Sequence, residues 1–188
     1  MPEEKAPPWA DLLARFYQQA GLSLPRIVCL DSGQLPVPSR RLLAHNNDMT
    51  PTLERYYGER VALQVCHHER AGDLYLREVV LALAESGSPV EYGAIRIHLK
   101  QFSGPVQDRI LSNEFPFGRI LQEEGIAHLG WPQAFFSIAA DARMRRLLDV
   151  DRAQPLYGRR NVLLDGRRRL LAEVIEILAP VEIEPSVT

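Results

Sequence analysis

The apolar positions of this chain follow two rhythms, and each predicts a different kind of element. Residues 74–83 (LYLREVVLAL) and 90–99 (VEYGAIRIHL) are rich in β-branched and aromatic side chains, and the AESGSP segment between them has turn chemistry. Together they predict a hairpin. Residues 60–66 (RVALQVC) alternate and predict a strand ahead of it. A second hairpin is predicted over 156–164 and 169–178, joined at Asp165-Gly166, with 135–139 as a shorter strand candidate. The helical rhythm is clearest near the start, where Trp9, Leu12, Leu13, Phe16, Tyr17 and Ala20 recur at threes and fours before Gly21. Thr50 followed by Pro51 predicts the N-cap and first position of a short helix that ends near Gly58. Further short helices are expected over 106–112, 116–124 and 141–148, the last opened by Asp141.

Strands paired in sequence, with helices inserted between them, predict an α+β fold: a single antiparallel β-sheet with inserted helices that enclose a buried ligand cavity. A chain of 188 residues is long enough for one domain with a substantial core. Residues 1–40 are expected to form an N-terminal extension with one helix and mobile ends, and residues 41–182 the domain proper. Within the extension, residues 31–39 (DSGQLPVPS) read as a loop, and residues 40–45 add a helical turn.

Two charges interrupt this pattern. Glu173 stands in the middle of the last apolar strand, on the same side as Leu171, Ile175 and Ile177, while Glu176 falls on the opposite side with Ala172, Val174 and Leu178. Arg77 shares a strand face with Tyr75, Val79, Leu81 and Leu83. An unpaired charge in a low-dielectric interior costs several kcal/mol or more, so such groups pair, bind a ligand or change protonation state. Two readings stay open. One is a structural Arg77–Glu173 ion pair within the sheet. The other is a cavity in which Arg77 grips a substrate carboxylate and Glu173, its pKa raised by burial, supplies a hydrogen bond or a proton. One of Arg159 and Arg160 must point toward the Glu173 side, and alternation alone does not say which.

Composition narrows the function classes. The chain is 46% hydrophobic and 24% charged, with a formal net charge of -2, so it lacks the basic footprint of a nucleic-acid binder. Arg167, Arg168 and Arg169 are expected to solvate a hairpin turn. Cys29 and Cys66 form no CxxC pair, and no histidine stands at a metal-ligand spacing, so neither a disulfide framework nor a metal site is expected. No leader or membrane span is recognisable, which makes the cytoplasm the expected compartment. Phosphate loops and nucleophile elbows are missing as well.

Five segments in order, DMT (48–50), LREVVL (76–81), FPFGRIL (115–121), YGRRNVLLDG (157–166) and LLAEVIEILAP (170–180), resemble the chorismate pyruvate-lyases and related domains over residues 42–180. The resemblance implies a single antiparallel sheet enclosing a small cavity, and cofactor-independent conversion of chorismate to 4-hydroxybenzoate and pyruvate. It implies that Arg77 clamps the ring carboxylate. It also implies that Glu173 holds the ring hydroxyl and shuttles a proton, with main-chain contacts at Met49 and Phe117. Phe117 stands where a leucine is common in the family, and the region 122–155 is longer than in compact members. The partner expected is thus a small carboxylate such as chorismate, with no nucleic acid and no membrane. Alternatives are a lyase acting on another enolpyruvyl or aromatic-precursor acid, and a non-catalytic effector-sensing domain of the kind found in transcription regulators. In those regulators a winged helix-turn-helix precedes the sensor, and the residues ahead of the matched region predict only one clear helix. The expectation is therefore an enzyme.

Overall fold

The computed structural model describes residues 6–181. In chain order its elements are α1 (Asp11–Gln19), β1 (Ile27–Leu30), α2 (Val37–Leu43), α3 (Met49–Tyr57), β2 (Val61–Ala71), β3 (Leu74–Leu83), β4 (Pro89–His98), α4 (Gly104–Leu111), α5 (Phe117–Glu123), β5 (His128–Ala139), α6 (Ala142–Leu147), β6 (Pro155–Asp165) and β7 (Leu170–Leu178). The strands form one sheet in the order β1-β5-β6-β7-β4-β3-β2, and every neighbouring pair is antiparallel. This is the α+β architecture that the alternating and helical rhythms predict.

Local chemistry sets most boundaries. Gly58 closes α3 in the left-handed region at φ 68, where a residue with a Cβ would be strained. Asp141 caps α6 by accepting from the Met144 amide at 2.8 Å. In the second hairpin the Asp165 carboxylate accepts from the amides of Arg167 (2.9 Å) and Arg169 (2.8 Å), so the arginine run follows the turn as expected. Three expectations need correction. Asp48, not Thr50, is the N-cap of α3, which starts one residue before Thr50. The loop expected over 31–39 already contains the start of α2, since Pro38 is tolerated in a first helical turn. The four-residue strand β1 was not expected, because IVCL is too short to show a period.

The segment before residue 41 contributes to both sheet and core. β1 pairs with residues 135–138 of β5, and α1 buries Leu12, Leu13, Phe16 and Tyr17. Of the stretch expected to be mobile, residues 1–5 lie outside the described residues, as do residues 182–188. On the α1 side of the sheet, Phe16 and Tyr17 share one apolar cluster with Tyr92, Phe136, Met144, Ile175 and Ile177. Beneath them Glu78 accepts from the Tyr92 hydroxyl at 2.6 Å and pairs with Arg143, which ties α6 to the sheet.

The opposite side carries two clusters. One joins α4 and α5 to Ile97, Leu163 and Leu171, and the other joins α2 and α3 to Val61, Leu81 and Leu178. Between them lies a gap in the helical cover. Strand register decides which charges face it. Arg77 is paired with Ile95, Ile95 with Val174 and Val174 with Asn161, so this row points to the gap. The adjacent row, Leu76, Arg96, Glu173 and Val162, points to the α1 side.

Gly158 is required at a close approach within β6. A Cβ there would stand 2.5 Å from the Glu176 carbonyl oxygen and 2.6 Å from the Phe136 ring. Gly158→Ala is expected to lower unfolding free energy by roughly 1–3 kcal/mol. Denaturant titration of the two proteins measures this, and an unchanged midpoint would contradict the close approach.

Candidate ligand cavity

The gap between the two apolar clusters is a cavity of about 590 Å³ including its open mouth. Its floor is the sheet, with Val79, Gly93, Ile95, Leu163 and Val174, and its lips are the first residues of α3 and α5. Met49 and Phe117, named by the family resemblance, are both buried and both line it. Each is the first residue of its helix, where main-chain N–H groups have no partner within the helix.

Arg77 lines the same cavity and is 1% exposed. Its hydrogen bonds are long: Nη1 donates to Asn113 Oδ1 at 3.4 Å, and both terminal nitrogens donate to the Phe115 carbonyl at 3.5 Å. Among the described residues its Nε finds no hydrogen-bond partner. No carboxylate pairs with it among the described ion pairs, and burial pulls its pKa down to about 10. The group remains cationic at neutral pH and its charge is balanced only by amide and carbonyl oxygens.

A second charged group holds the far side together. Arg159, with no exposed surface, pairs through Nε with Glu176. It also donates to the carbonyls of Leu43 (3.0 Å), His45 (2.7 Å) and Asn47 (3.2 Å). This binds the α2–α3 connection to β6 and β7, and so places the α3 lip. Beside the pair stands Glu91, 3% exposed, which lines the cavity and whose Oε2 lacks any partner. Burial, then the neighbouring Glu176 carboxylate, pushes its pKa well above the usual carboxylate range, with Arg159 opposing. Both causes favour the protonated form of Glu91 over the carboxylate. Asn161, 2% exposed and also in the lining, leaves its Oδ1 unpartnered.

At the α3 lip, the Asp48 carboxylate accepts from His128 Nε2 at 2.9 and 3.0 Å, while His128 Nδ1 donates to the Ile126 carbonyl at 2.8 Å. Both ring nitrogens act as donors, which is the protonated imidazolium. The hydrogen bond to Asp48 raises the His128 pKa above its ordinary 6.5, against the effect of burial.

Glu173 is elsewhere. It faces the α1 side, accepting from Arg96 Nη1 and from Arg160 Nη2, both at 2.9 Å. Arg96 reaches on to Asp11 of α1 at 2.6 Å. The expected meeting of Arg77 and Glu173, as an ion pair or across a ligand, does not occur, because the register separates them onto opposite faces. The acids that do share the face of Arg77 are Glu91 and Glu176. The signal for Glu91 was present in VEYGAIRI, where the acid falls on the stripe of Gly93, Ile95 and Ile97.

No protein-family model matches the chain, and no curated protein matches it. Among solved structures, the ligand-binding domain of a protein described as a GntR-family transcriptional regulator from Bordetella bronchiseptica superposes with a TM-score of 0.51. It is 14% identical, and the match covers 68% of this chain and 92% of that one. The effector domain of PhnF from Mycobacterium smegmatis gives 0.54 at 15% identity, over 70% and 88%. Whole PhnF gives 0.54 at 14%, over 74% and 69%. The chain has the fold of these ligand-binding domains. The relationship to chorismate pyruvate-lyases extends only to a related fold. The expected assignment as a lyase making 4-hydroxybenzoate is corrected accordingly: the matched structures named here are described as ligand-binding or effector domains or contain one, and the carboxylate meant to work with Arg77 lies outside the cavity. No helix among the described residues is long and apolar enough to cross a membrane.

Two outcomes follow from this geometry. Arg159→Met strands Glu176 and frees three carbonyls, so unfolding free energy should fall by about 3–5 kcal/mol in denaturant titration. The His128–Asp48 pair contributes stability that is complete below the ordinary histidine value of 6.5 and is lost as pH rises through the higher folded value. Denaturation midpoints measured from about pH 5 to pH 9 should show that loss. His128→Gln should remove it.

Proposed function

We propose that this chain is a small-molecule-sensing domain whose cavity captures a small organic carboxylate through Arg77. The observation that carries the reading is the buried Arg77 guanidinium on the cavity wall, which among the described residues has no acid partner and an unused Nε–H. A planar guanidinium matches a carboxylate with two parallel hydrogen bonds, and the present acceptors at 3.4–3.5 Å leave that capacity largely unspent. The first amides of α3, at Met49, would add donors to the same anion, and the Phe117 ring would close the opposite lip. Support also comes from fold neighbours whose names describe them as ligand-binding or effector domains.

Residues 41–181, with the sheet, both lips and all of these cavity residues, would form the sensing unit, braced by α1 and β1. Glu173 has a structural part in this reading: it joins β4, β6 and β7 on the side away from the ligand.

Thermal-shift screening of small carboxylates, followed by calorimetric titration of those that raise Tm, tests the proposal. Arg77→Met should weaken binding by about tenfold to a hundredfold, the value of a charge-assisted hydrogen-bond pair. Glu173→Gln should leave it unchanged. Equal binding by wild type and Arg77→Met, or a Glu173→Gln loss as large as that of Arg77→Met, would refute the assignment.

A further inference from the structure

The cavity wall carries a second unbalanced group, at the opposite end from Arg77. Glu91 and Glu176 are diagonal neighbours on the same face, since Glu91 pairs with Leu178 and Glu176 with Gly93. Arg159 can neutralise only one of them, and its Nε is committed to Glu176. Glu91 is left over, buried in the lining with Oε2 bonded to nothing. Among the described residues the wall thus has an arginine without an acid and an acid without a base. Arg77 lies opposite Ile95 and Glu91 lies four positions further along β4, a separation of about 13 Å along the strand. Val79, Gly93 and Ile95 floor the interval, and the absent side chain of Gly93 keeps it low: a Cβ there would come within 3.1 Å of Val79.

Resting on the reading of Arg77 as a carboxylate site, we infer that the ligand is zwitterionic, with a carboxylate on Arg77 and an ammonium group on Glu91. Asn161 Oδ1, unpartnered on the same wall, is a further acceptor for the ammonium hydrogens. The floor between the two ends is apolar, which suits a short methylene chain. Binding has a proton balance. Burial beside Glu176 favours the protonated form of Glu91 and the arriving ammonium favours the carboxylate, so a proton held by Glu91 passes to solvent as the new ion pair forms.

Calorimetric titration of the full chain with 4-aminobutyrate, 5-aminopentanoate and 6-aminohexanoate, against butyrate, pentanoate and hexanoate, tests this. At least one amino acid of the series should bind about tenfold or more tightly than its matched alkanoate. The advantage should disappear in Glu91→Gln, which keeps shape and neutrality but cannot ionise. Titrations in buffers of different ionisation enthalpy need no variant, and should show the wild type releasing protons as the amino acid binds. Alkanoates that bind as tightly as the amino acids, or amino acids that bind without releasing a proton, would overturn the inference. If that binding still depends on Arg77, the carboxylate-site reading survives; if no probe binds, this inference falls, and if Arg77→Met is also silent in the wider carboxylate screen, both fall.

Discussion

Arg159 has no contact with solvent and spends its guanidinium on one carboxylate and three carbonyls. Those acceptors come from two regions far apart in sequence, β7 and the α2–α3 connection, so a single side chain sets the height of one lip above the floor. Charge sequestered in this way persists only if its partners are fixed, since a lost acceptor would leave a cation in low dielectric. The rest of the cavity inherits that rigidity. Met49 takes its place through the connection and Glu176 through the ion pair, while burial and the neighbouring Glu176 push the Glu91 pKa upward against Arg159.

The two faces of the sheet use charge in opposite ways. On the α1 side, Glu173 is surrounded by Arg96 and Arg160, and Arg96 continues to Asp11, so acids and bases are matched and a helix is fastened down. On the cavity side the matching is incomplete by design of the register, with one cation and one acid at either end. Full pairing within the protein serves stability, whereas buried groups held without partners are suited to recognising something else. This contrast is what the proposed sensing role draws on.

Much of the architecture was legible from alternation: both hairpins, the helix ended by Gly58 and the one capped by Asp141 all depend on local chemistry. Arg77 was legible too, as a charge in an apolar stripe. Glu173 displayed the same anomaly and belongs to the other face. Periodicity assigns a residue to one of two sides of its own strand, but which side of β7 coincides with which side of β3 depends on the pairing through β4. That information is non-local, and β1 was missed for a related reason, being a strand only by virtue of residues 135–138. The resemblance to chorismate pyruvate-lyases reached a related fold and an arginine, Arg77, that lines the cavity, whereas Glu173 lies on the other face.

The cavity occupies the seam between two apolar clusters that otherwise pack separately, one around α4 and α5 and one around α2 and α3. A molecule lodged there would touch both, adding to the Arg119–Glu54 ion pair that already links α5 to α3. In the proposed sensing role, filling the seam would stiffen the relation of α3 to α5, and the message would be mechanical, written in how freely two helices slide past one another.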